Sequence, residues 1–212
     1  MLSEDRPLHG LHRQFKLPKG FRVATIETLK RKIIQILTSR KINYIDFNFD
    51  GFSITPYDYS SIAQKINDNK IHIEIKSNDK NIRATYRPFS NTIGLRSTDY
   101  GNNPQEETTI VHEATHAIVD MKRSNISWIA DETIAYTADA IFRRSKPSYH
   151  YATFSKIFDC ANVLAERVIS NGNNRLKSKD EDVMALIKSI YEDPAYKEKA
   201  HIKTNIQLDG IN

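Results

Sequence analysis

Residues 111–120 read VHEATHAIVD: two histidines four positions apart, with Glu113 directly after the first. This spacing serves chemistry only in a helix, where four residues turn through about 400° and place His112 and His116 on one face, a turn apart. Imidazoles so placed can hold one metal ion at about 2.0–2.1 Å. Glu113 lies beside the pair, too far round the helix to be the natural third ligand and well placed to accept a proton from water. Ile110, Val111, Ala114, Ala117, Ile118 and Met121 surround the motif, which implies burial. Solvated histidines on a surface helix are the plain alternative, and these apolar neighbours count against it. Two buried imidazoles with a carboxylate between them need a strong partner, and a metal supplies one. The chain must therefore pack around this segment.

The flanking sequence gives the helix a defined start. Asn103 is a good N-cap, Pro104 suits the first helical position, and Glu106 and Glu107 suit the positive end of the helix dipole. The pattern predicts helices over 104–121, 129–144, 148–170 and 179–192, with Gly172 ending the third and Pro194 following the fourth. The first half is mixed. Thr25 caps a predicted helix over 26–39, whose Ile26, Leu29, Ile33, Ile36 and Leu37 recur at helical spacing. In YIDFNFDGFSI, Ile45, Phe47 and Phe49 alternate with polar residues, and Asp50-Gly51 signals a turn. Pro56 introduces a short helix over about 58–67, and three strand candidates follow: KIHIEIK, IRATYRP and NTIGLR. Ile71, Ile73 and Ile75 share a face of the first; the second presents Ile82, Ala84 and Tyr86. The short gaps between these strands lead us to expect antiparallel pairing. Sheet first and helices after reads as an α+β fold.

Composition bounds the rest. At 212 residues with 39% hydrophobic and 27% charged, the chain suits one globular domain. Residues 1–22 are polar and punctuated by Pro7, Gly10, Pro18 and Gly20, and read as a flexible arm. Residues 23–212 then form a single domain, sheet-rich over 40–100 and helical over 104–200. The net charge of +5 is spread along the chain, and Lys30-Arg31-Lys32 and Arg143-Arg144 read as solvated faces. No aromatic-interleaved basic motif argues for nucleic acid. The single cysteine, Cys160, excludes an intrachain disulfide framework and reads as a buried, inert thiol. No apolar leader or bilayer-length apolar run is evident, so a membrane is not an expected partner. The default compartment is cytoplasmic, with export by a route that reads no such signal left open.

A catalytic zinc takes three protein ligands and keeps one position open. WIADETIAY, residues 128–136, offers the third. It follows a short polar connection, so its helix is expected to lie antiparallel to the motif helix and to point Glu132 back at the histidine pair. Asp131 is the alternative of that acidic pair and reads as a helix cap; Ala135, on the Glu132 face, leaves room for close approach.

HEATHAIVD followed by Glu132 in ETIAY resembles the zincin metallopeptidases, in the thermolysin-like gluzincin branch, down to Thr115, Ala117 and Asp120. The likeness covers roughly residues 82–142. It implies Zn²⁺ held by His112, His116 and Glu132, with Glu113 as catalytic base. It also implies a zincin-like fold, in which a small twisted, antiparallel-rich sheet packs on the motif helix and an edge strand aligns the substrate. NTIGLR is our candidate for that edge. The spacing from His116 to Glu132 is shorter than in thermolysin. Tyr136 stands where that family keeps a carboxylate four residues past its ligand glutamate, and Asp139 is a candidate for orienting His112 instead. The family also has an oxyanion-stabilising tyrosine or histidine. Tyr136, Tyr149, His150 and His201 are candidates, with Tyr136 carried beside Glu113 as catalytic.

The expected function is a zinc-dependent peptidase acting on a peptide or protein. Two rivals stay open: a non-catalytic zinc-binding interaction module, and a delivered metalloprotease toxin or effector with one narrow target.

Overall fold

The computed structural model describes residues 25–76, 84–122, 125–145, 155–197, 208, 210 and 211. The expected arm, 1–22, lies outside them, as do Tyr149, His150 and His201.

Helix α1 (Ile26–Leu37) starts at Thr25, whose hydroxyl accepts the Thr28 N–H. It buries Leu29, Ile33, Ile36 and Leu37, while Ile26 is exposed. Strands β1 (Phe47–Phe49) and β2 (Phe52–Ile54) form a hairpin in which Phe47 faces Ile54 and Phe49 faces Phe52. Its turn residues, Asp50 and Gly51, both take positive φ (48° and 94°). That backbone matches the twist of the flanking strands and favours Asp-Gly. Helix α2 (Pro56–Asn67) follows, with Asp58 accepting the Thr55 N–H at 2.8 Å.

Strands β3 (His72–Ile75), β4 (Ala84–Arg87) and β5 (Thr92–Leu95) form a second sheet in the order β3-β5-β4. The β4–β5 pair is antiparallel, as expected, but β3 runs parallel to β5. NTIGLR is therefore not the edge: β5 is the central strand, and all four of its residues are buried. The hairpin turn at 88–91, with Asn91 in the left-handed region, claims one side of β5 for β4. The other side takes β3, leaving β4 as a sheet edge.

The second half is built from α3 (Pro104–Met121), α4 (Trp128–Arg144), α5 (Lys156–Asn171) and α6 (Glu181–Glu192). The predicted bounds of α3 match the observed ones. Only the part of the 148–170 prediction from 155 onward is described. A two-residue strand, β6 (Arg175–Leu176), pairs parallel with β1; it is too short to show a period in the sequence. The result is α+β, with helices α1, α2 and α4 and strand β4 all packed on α3. That central position explains why Ile110, Val111, Ala114, Ala117 and Ile118 are wholly buried. Cys160 is half-buried on α5 rather than deep in the core. No helix among the described residues is long and apolar enough to cross a membrane.

Two ties hold the motif helix in register. Thr115 donates to the Val111 carbonyl at 2.8 Å, so its oxygen accepts the buried Tyr59 hydroxyl at 2.7 Å. Asp120, fully buried, accepts the Tyr86 hydroxyl of β4 on one oxygen (2.6 Å) and the Gly210 N–H on the other (3.1 Å). One carboxylate thus fastens both the edge strand and Gly210 to α3.

Candidate metal centre

Asn103 caps α3 by accepting the Glu106 N–H at 3.0 Å, and the Glu106 carboxylate returns to accept the Gly101 and Asn102 N–H groups. Ser127 caps α4, accepting from Ala130. With Ser127 in that role, Asp131 is not the cap and its side chain is left for another use. Small, fully buried Ala135 and Ala138 let α4 come close to α3.

The packing brings three donor atoms together. His112 Nε2 and His116 Nε2 are 3.2 Å apart, and Glu132 Oε2 lies 3.6 Å from the first and 3.8 Å from the second. Ligand atoms about 2.0–2.1 Å from a tetrahedral ion stand about 3.3 Å from one another, so the triangle fits one such ion with little adjustment. Among the described residues, these three are the group of histidine, cysteine and acidic side chains that could hold a metal. Two nitrogen lone pairs and a carboxylate oxygen facing each other at this range repel unless a cation, or at least a proton, lies among them.

The surrounding charge reinforces that need. Glu113, Asp131 and Glu132 are all buried beside the two imidazoles. Asp131 Oδ1 approaches His116 Nδ1 to 2.9 Å, and among the described residues neither atom has another hydrogen-bond partner. Burial pulls the His116 pKa down, but Asp131, with Glu132 and Glu113 behind it, overrides that pull and raises it to about 10. A proton at His116 thus does part of the work a metal ion would do. The carboxylate that meets an imidazole of the cluster is Asp131, on His116. Asp139, the sequence candidate for orienting His112, instead accepts Arg143 Nη2 at 2.7 Å, and the Arg143 guanidinium stacks over Phe158.

For the zinc that the motif's resemblance implies here, Asp131→Asn is expected to weaken binding by roughly 10–100-fold, because a carboxylate on the far nitrogen of a metal-binding imidazole fixes its tautomer and raises its basicity. Competition against a chromophoric chelator measures this, and unchanged affinity would remove Asp131 from the site.

The centre forms the floor of a cleft of about 370 Å³. Ala84, Thr85 and Tyr86 of β4, with Pro88 and Phe89 after it, make one wall; Trp128, Tyr196 and Leu208 contribute another part of the lining. Glu113 opens into this cleft beside the histidines. Tyr136 is not among its lining residues. Its ring packs edge-on against His112 at 4.7 Å between centroids, and its hydroxyl lies 2.8 Å from that of Tyr196. The phenol that both lines the cleft and reaches the cluster, at Glu132, is Tyr196, which the sequence did not single out. It sits in a single turn, Pro194–Tyr196, opened by Asp193 accepting the Ala195 N–H. Such a turn carries no periodicity, and only the Asp-Pro pair marks it in the sequence. Burial raises the pKa of both phenols well above the usual tyrosine range, and the Glu132 carboxylate adds to the rise, most strongly at Tyr196. Both are therefore hydroxyl donors at neutral pH.

Comparisons of the chain with protein-family models, curated proteins and solved structures each find no match. The likeness to gluzincins rests on the motif residues alone.

Proposed function

We propose that this chain is a zinc-dependent peptidase of zincin-like architecture, with His112, His116 and Glu132 holding the metal. The observation that carries this reading is the convergence of their three donor atoms, 3.2–3.8 Å apart, beside an acid that takes no part in the triangle. A structural zinc site is closed by a fourth protein ligand, whereas a catalytic one keeps a position free for chemistry. Among the described residues no fourth ligand joins the group, and the cleft opens onto it.

When bound, zinc supplies Lewis acidity, polarising a carbonyl and making water a stronger acid. Glu113 accepts a proton as water adds to the scissile carbonyl and delivers it to the amine as the C–N bond breaks. The carboxylate is neutral between the two events and regenerated at the end, so one water is consumed per bond cleaved. The β4 edge aligns the substrate. Among the described residues β4 pairs only with β5, and the other side of an edge strand offers backbone N–H and C=O groups to an extended peptide.

Metal analysis of the purified chain together with cleavage of a mixed peptide library tests the proposal. About one zinc per chain and cuts within the library, both lost on chelation and restored by zinc, are expected. Zinc without any cleavage would favour the interaction module, and no metal uptake would end both readings.

A further inference from the structure

From the turn after α6, the Tyr196 hydroxyl reaches a proposed ligand. Its oxygen is 3.1 Å from Glu132 Oε2 and 2.8 Å from the Tyr136 hydroxyl. A carboxylate only accepts, so Tyr196 donates to Glu132. With its proton committed there, it accepts from Tyr136. The two bonds form a directed chain, Tyr136 to Tyr196 to Glu132.

The chain ends on the atom that matters. Oε2 is also the oxygen that faces both imidazole Nε2 atoms. A carboxylate oxygen has two lone pairs, so one can accept the phenol while the other is aimed at the metal. Glutamate is a long side chain whose rotamer freedom costs free energy to freeze, and a donor on Oε2 fixes it before the ion arrives. Tyr196 is itself held. The Trp128 ring stacks on it at 6.0 Å between centroids, 20° from parallel, and Tyr191 packs edge-on against Trp128. Tyr136 packs its ring on one proposed ligand, His112, and reaches Glu132 only through Tyr196.

We propose that Tyr196 and Tyr136 are positioning residues for the metal, a phenol relay that presets Glu132 and makes zinc affinity depend on the turn after α6. This rests on the metal reading above. It gives Tyr136 a task different from stabilising an oxyanion.

The test is zinc affinity of the full-length chain by chelator competition, with thermal unfolding of the metal-free proteins as a check on folding. Tyr196→Phe keeps the ring and its stacking on Trp128 but removes the donor; it is expected to weaken zinc by roughly 10–100-fold, as loss of an outer-shell hydrogen bond does. Tyr136→Phe keeps its ring on His112 and is expected to cause a smaller loss. The double variant should be no worse than Tyr196→Phe alone, because the relay passes through Tyr196. Wild-type zinc binding with unchanged affinity in Tyr196→Phe overturns the relay, even if that variant hydrolyses peptides more slowly. Additive losses in the double variant overturn it as well. Should Tyr196→Phe fail to fold, Tyr136→Phe carries the test, and unchanged zinc affinity there overturns the relay. A wild-type chain that takes up no zinc is a separate result, and removes the metal reading itself.

Discussion

Glu113→Gln is expected to keep its zinc, bound only modestly more weakly than in the parent, and to lose peptide hydrolysis by roughly 10²–10⁴-fold, the usual contribution of a general base. The substitution conserves shape and leaves the converging atoms untouched, since Glu113 is not one of the three. An amide cannot take a proton from water at neutral pH. Glu113 is only 7% exposed and faces the cleft floor, so glutamine there is held in the same place and differs chiefly in its proton chemistry and charge. Loss of that charge lowers the attraction for a cation somewhat, and a modest weakening of zinc binding is compatible with the prediction. Hydrolysis and metal content measured on one preparation separate the two effects. Full activity in a zinc-loaded Glu113→Gln protein would remove Glu113 as the base. Loss of zinc together with activity would make it a ligand instead.

What could be read in the sequence was local. Helix α3 begins where Asn103 and Pro104 say it does, and the Asp50-Gly51 hairpin forms because those two residues tolerate positive φ. Glu132 reaches the histidines because α4 begins a few residues after α3 ends and packs against it, which a short connection between two helices favours. The order of the second sheet was not local. Alternation in KIHIEIK and NTIGLR assigns faces, not partners, and the pairing of β3 beside β5 is settled by what else packs there. The same holds for Asp131 and Asp139. Both are acids on α4, and only their rotation relative to α3 sends one to His116 and the other to Arg143. Ser127 was the available clue, because a serine ahead of the first apolar position caps a helix well and releases the later aspartate. Tyr196 lies 64 residues from Glu132, and no short-range pattern connects them.

The convergence of acids on His116 also fixes how metal binding responds to pH. In the metal-free fold, burial lowers the His116 pKa, but Asp131, Glu132 and Glu113 together raise it from 6.5 to about 10. The bound proton stabilises the metal-free fold fully below pH 6.5 and less as the pH climbs through 10. Zinc needs the Nε2 lone pair, so it must displace that proton while Nδ1–H stays with Asp131. Between those pH values each unit of pH should tighten apparent zinc binding by about tenfold, or about a hundredfold from pH 7 to pH 9. Calorimetry in buffers of different ionisation enthalpy should count about one proton released per zinc near pH 8. His116→Ala should abolish both the release and the binding, since it removes a ligand and leaves Asp131 buried without its partner. Zinc affinity independent of pH over this range would mean that His116 is already neutral before the ion arrives, with the three carboxylates satisfied in some other way.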